Sequence, residues 1–88
     1  MLEWDEAKRL ANLDRRGLDF EDADLVFDGR PVTTAASLRN NEDGFVSTAE
    51  IGGKLYTVVW MWRGANQRII SFRRASRGEE GAYRQIFG

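Results

Sequence analysis

Residues 54–63 read KLYTVVWMWR, a nearly unbroken apolar and aromatic run. Valine, tyrosine and tryptophan suit the pleated surface of a sheet. A run without polar alternation predicts a strand covered on both faces, hence a central one. Just before it, Gly52-Gly53 is a two-residue hairpin signal, so residues 45–51 (FVSTAEI) form its partner strand. Residues 64–67 then turn the chain, and residues 68–74 (RIISFRR) return as a further strand. Upstream, residues 39–44 (RNNEDG) make a polar loop, and residues 32–38 (VTTAASL) predict an edge strand with small side chains.

Both ends of the chain read as helical. Asp5 is an N-cap for a helix over residues 6–16, with Ala7, Leu10 and Ala11 on one side and Lys8, Arg9 and Asn12 on the other. Gly17 ends it as a left-handed residue, and Leu18 supplies the apolar contact that accompanies such a cap. Asp19 caps a second helix in which Phe20, Ala23 and Phe27 share a face, with Val26 beside them, and Gly29 with Pro31 stops it. After the strands, Ser76-Arg77-Gly78-Glu79 matches a capping box. Ala82, Tyr83, Ile86 and Phe87 follow as an apolar stripe expected to dock on the domain. This order predicts an α+β fold: an antiparallel β-sheet flanked by two N-terminal helices and one C-terminal helix, with residues 1–88 as a single domain.

Composition narrows the class. The 88 residues include 42% hydrophobic and 11% aromatic residues, enough for a true core and well above what disordered chains carry. No run approaches a membrane span, the start MLEWDEAKRL lacks a signal peptide's apolar stretch, and the absence of cysteine suits a reducing compartment. A soluble, cytoplasmic protein is expected. Net charge is −1, but acids dominate to Gly53, whereas Lys54, Arg63, Arg68, Arg73, Arg74, Arg77 and Arg84 face only Glu79 and Glu80 beyond it. That asymmetry fits a face that meets a polyanion, as well as a plain solvated surface. Strict alternation puts Arg68 and Arg74 on one side of their strand with Ile70 and Phe72, and Arg73 on the other with Ser71. Only a bulge, or the strand's end, could bring these arginines together.

The N-terminal WDEAKRLANL, then Gly17-Leu18-x-Phe20-Glu21-x-Ala23, Val26-Phe27-Asp28, and above all VVWMWRG followed by RIISFRRAS, Glu79 and Tyr83, resemble the BrnT toxin family. The resemblance leaves about residues 30–51 poorly matched. It implies a RelE-like fold and metal-independent RNA cleavage that inhibits translation. It further implies neutralisation by a BrnA-like antitoxin, a ribbon-helix-helix protein that covers the toxin in a hetero-oligomer and through which alone operator DNA is bound. No cofactor is expected, and no membrane. Two departures stand out. Relatives read Lys-His-Gly where this chain has Arg15-Arg16-Gly17, so the customary histidine is Arg16; they also tend to carry an arginine at the position of Gly44.

Metal-free cleavage requires loss of the 2′-hydroxyl proton, neutralisation of charge on the phosphorus centre, and a proton for the leaving 5′-oxygen. Arg63, Arg68 and Arg73 are the candidates to stabilise the phosphate, since guanidinium groups bind it bidentately at any working pH. Glu79 or Tyr83 would assist, with Lys54, Tyr56 and Glu50 as further proton-transfer candidates. Lys8, Arg15, Arg16, Lys54, Arg74 and Arg77 are the expected RNA-backbone contacts. Each has a structural alternative: Glu79 as the capping-box glutamate, Tyr83 as a core residue, Lys8, Arg15 and Arg16 as a solvated helix face, and Trp4, Trp60 and Trp62 as packing. Ser71 and Ser76 have no histidine partner for nucleophilic catalysis. With no histidine in the chain, the alternative function is a catalytically weak or inactive family member that serves as an antitoxin-binding regulatory module. A free-standing DNA-binding protein fits poorly, because no helix-turn-helix pattern is present.

Overall fold

In the computed structural model, which describes residues 1–37 and 44–88, the chain forms a five-stranded sheet with three helices. The strands are β1 (Leu2–Trp4), β2 (Val32–Ser37), β3 (Gly44–Ile51), β4 (Lys54–Arg63) and β5 (Asn66–Arg74). The helices are α1 (Glu6–Arg16), a 3₁₀ helix (Phe20–Phe27) and α2 (Arg77–Phe87). The sheet order is β1-β5-β4-β3-β2, so the aromatic strand β4 is the middle one and β2 is an edge, as the sequence predicts. Gly52 and Gly53 both take positive φ, 60° and 83°, which the tight β3–β4 hairpin requires and other residues resist. The polar loop expected before β3 lies outside the described residues, apart from Gly44, which opens the strand.

Five features depart from the sequence reading. The sheet is not purely antiparallel: Leu2–Trp4 pairs parallel to β5, with Leu2 opposite Gln67 and Trp4 opposite Ile69. Second, Phe20–Phe27 winds as a 3₁₀ helix, with the amide of Asp22 bonded to the carbonyl of Asp19. Its three-residue turn stacks Phe20, Ala23 and Val26 inward, all fully buried, and leaves Phe27 only half-buried.

Third, the apolar side of α1 does not face the core. Leu10 is 52% exposed and Ala7 and Ala11 are exposed; the buried residue is Asn12. The cause is position, because α1 lies along β5 beyond the point where β1 stops pairing. There the Asn12 side chain takes the place of a strand. Its amide donates to the carbonyls of Phe72 and Leu18, both at 2.9 Å, and its carbonyl accepts from the Phe72 amide at 3.3 Å. Fourth, only Tyr83 of the C-terminal stripe is buried. Ile86 remains 67% exposed and Phe87 44%, and a groove of about 360 Å³ separates α2 from β2 and β3. The stripe is thus half-docked.

One face of the sheet carries the core. Ala49, Val58, Trp60, Ile69 and Phe72 pack against the buried side of the 3₁₀ helix. Trp60 stacks on Phe45 at 4.7 Å and meets Phe27 edge-on at 5.4 Å. Its indole N–H donates to the Ser47 hydroxyl at 2.8 Å, so the aromatic centre buries no orphan donor. Fifth, β4 is not covered on both faces as its apolar run predicts: on the opposite face α2 packs on β2 and β3, Val59 and Met61 are only half-buried, and Arg63 is exposed.

Candidate functional site

The register of β4 and β5 decides which side chains share the uncovered face. Val58 pairs with Phe72 and Val59 with Ser71, but Trp60 pairs with Ile69, so Ile70 has no partner. One unpaired residue is a β-bulge, and it resets the alternation of its strand. Thr57, Val59, Met61 and Arg63 alternate onto one face of β4, opposite Arg73, Ser71, Arg68 and Asn66 respectively. Arg63, Arg68 and Arg73 are therefore on the same face. Arg74 is on the other, its guanidinium 5.4 Å over the Tyr56 ring. Strict alternation had paired Arg68 with Arg74; the bulge exchanges that partner for Arg73.

Two of the three arginines hold carboxylates. Arg68 donates to Glu3 Oε2 at 2.7 Å while Asn66 donates to Glu3 Oε1 at 3.0 Å. Arg68 opposite, with Asn66 beside it, pulls the Glu3 carboxyl below its ordinary range. Arg73 grips Glu79 bidentately at 2.7 and 2.8 Å. Glu79 also accepts from the Thr57 hydroxyl at 3.0 Å and the Ser76 amide at 2.8 Å, completing the capping box of α2. The Arg73 bonds chiefly, aided by the Ser76 amide, hold the Glu79 carboxyl down to about 2 against its burial. At neutral pH Glu79 is a saturated carboxylate. Behind it the Thr57 hydroxyl bonds the Thr48 hydroxyl at 2.8 Å, a buried link into β3.

Guanidinium capacity remains. Arginine has five N–H donors; Arg68 directs one to Glu3, and Arg73 directs two to Glu79 and one, at 3.3 Å, to the Arg74 carbonyl. Arg63, exposed at the end of β4, makes no ion pair among the described residues. Tyr83 is 3% exposed on the inner side of α2, tilted against Phe87 at 4.9 Å.

The expected RNA-contacting residues do not form one patch. Lys8, Arg15 and Arg16 line a cleft between α1 and β5. Lys54 is exposed where β4 begins, and Arg77 where α2 begins, toward the end of the sheet away from Arg63. Three residues that hold this site together had been overlooked or assigned elsewhere: Glu3, Asn66 and Asn12. For Glu3 a signal existed, since Leu2-Glu3-Trp4 alternates apolar and polar as a short strand does. Among the described residues no three His, Cys, Asp or Glu side chains cluster to hold a metal ion, and no helix is long and apolar enough to cross a membrane.

A family model described as "Ribonuclease toxin, BrnT, of type II toxin-antitoxin system" matches residues 4–79. No curated protein searched matches the chain.

Proposed function

The chain belongs to the BrnT family of ribonuclease toxins from type II toxin–antitoxin systems, and on that premise we propose a metal-independent endoribonuclease that grips RNA on the arginine-bearing face of its sheet. The observation that carries this reading is the bulge at Ile70, which turns Arg68 to the side of Arg73 and Arg63. Bulges beside active sites commonly re-aim a side chain in this way.

In the proposed reaction the ribose 2′-oxygen attacks phosphorus and the bond to the 5′-oxygen breaks. Arg63 and Arg68, neighbours across β4 and β5, align the scissile phosphate and neutralise the charge gathering on its oxygens. Arg73, about 20 Å from Arg63 along the strand, grips the backbone beside it. Glu79 contributes by fixing the Arg73 fork, since a carboxyl held near 2 carries no proton to donate at neutral pH. Tyr83 anchors α2 and through it Glu79. The 2′-proton leaves to solvent and the 5′-oxygen takes one from solvent, because the site has no imidazole. A type II toxin has a protein antitoxin; here we propose a BrnA-like ribbon-helix-helix protein, a RelE-like kinship of fold, and action in the cytoplasm.

Induction of this chain alone is expected to arrest growth, and co-expression of its antitoxin to restore it. Arg63→Ala/Arg73→Ala is expected to abolish both arrest and RNA cleavage, with a midpoint lowered by loss of the Glu79 pair but a melt that stays cooperative and so reports a folded chain. Undiminished toxicity of that double variant would refute the assignment. A second reading, a weak or inactive family member retained as an antitoxin-binding module, is favoured by the carboxylates already seated in the Arg68 and Arg73 forks and by Arg16 at the histidine position. Under it, the parent chain binds antitoxin tightly and cuts no RNA, and Arg16→His produces a gain in cleavage.

A further inference from the structure

The cleft between α1 and β5 encloses about 180 Å³, and the charged residues lining it are Lys8, Arg15 and Arg16. They come from one stripe of the helix, since residues seven and eight apart return to the same side after two turns. No acidic residue lines the cleft, and these three cations make no ion pair among the described residues. Their neighbour Arg9 differs, being paired with Asp19 at 2.9 Å and with Glu6. The cleft floor is fixed, because Asn12 spends its amide on the β5 backbone and Ile70, the bulged residue, forms part of the wall. Ser71 also lines it, and Ser71 sits between Arg68 and Arg73 on the arginine-bearing face. Cleft and arginine row therefore meet along β5.

We infer that this cleft is a second phosphate-binding subsite, which takes the phosphodiester backbone of a single-stranded RNA flanking the bond held at the arginine row. The inference rests on the ribonuclease reading and extends it to where the rest of the strand runs. Contacts of this kind are sequence-independent and release counterions, so they determine how steeply binding weakens with salt. The structural alternative for Arg15 and Arg16 is complementing the negative end of the helix dipole. That role alters stability without altering the salt dependence of RNA binding.

The test uses the whole chain and a short 2′-O-methyl oligoribonucleotide, which binds but lacks the attacking hydroxyl. Lys8→Ala/Arg15→Ala/Arg16→Ala is expected to weaken binding on the order of tenfold at low salt. It should also make the slope of log affinity against log salt shallower by about 2, from roughly 0.7 per phosphate contact on a single strand. Cleavage of unmodified RNA should lose through KM, most strongly at low salt. A variant that keeps the parent's affinity and slope overturns the subsite and leaves the ribonuclease reading standing. If the parent neither binds nor cuts RNA, both fail together. A variant that binds the oligonucleotide normally but loses its antitoxin assigns the cleft to the protein partner, and also overturns the proposal.

Discussion

Asn12 is the residue on which the N-terminal helix turns. Periodicity groups it with Lys8 and Arg9 on the polar side of α1, and nothing in hydrophobic patterning marks a polar residue that is needed inward. Its role becomes visible only once β1 is seen to stop at Ile69, leaving the backbone of Phe72 open. Asn12→Ala strands the Phe72 amide and carbonyl in a buried setting, at a cost of about 2–3 kcal/mol. In a domain of this size the melting midpoint should fall by roughly 10 °C or more. Asn12→Asp should fare little better, since a carboxylate cannot donate to the Phe72 or Leu18 carbonyls. Thermal melts of both variants check this; a midpoint within about 2 °C of the parent refutes the account.

Elements were legible where their period was unambiguous and their neighbours close in sequence. α1, β4, the Gly52-Gly53 hairpin and the capping box of α2 all stand where local chemistry places them. The parallel strand β1 was not legible, because three residues are too few for a period and their partner lies far along the chain. Nor was the bulge, since Ile70 is an ordinary strand residue and only the pairing with β4 reveals it as surplus. The shared face of Arg68 and Arg73 was hidden for the same reason. α2 offers a test at this scale. Gly78 and Gly81 lie in exposed helix with open space where a Cβ would stand. Each Gly→Ala change should stabilise the protein by about 1 kcal/mol. The double variant should melt roughly 8–16 °C higher; no gain in thermal melts would show that α2 is not helical where its cap predicts.

For the molecule as a whole, acidic pH should be the weak flank. Asp28, beside Arg30, and Glu79, beside Arg73, are held at about 2 from ordinary values of 3.8 and 4.5, and Glu3 and Asp19 are lowered too. In this range the unfolded chain binds more protons than the folded one, so stability rises with pH. The contribution is complete above about 4.5 and disappears as pH falls through about 2. Denaturant melts at pH 5 and pH 2.5 should show this loss, and Glu79→Gln should show a smaller one. Equal losses in the two proteins would refute the Glu79 contribution.

The pairing of Glu3 with Arg68 spans 65 positions, and this separation bears on how a toxin is made without poisoning its maker. While the ribosome is still extending the chain, Glu3 has emerged but its partner has not been translated, and Arg73 follows later still. No nascent fragment that ends before β5 can assemble the arginine row. On the catalytic assignment proposed above, a growing chain therefore carries no RNA-gripping face until β5 has cleared the ribosome.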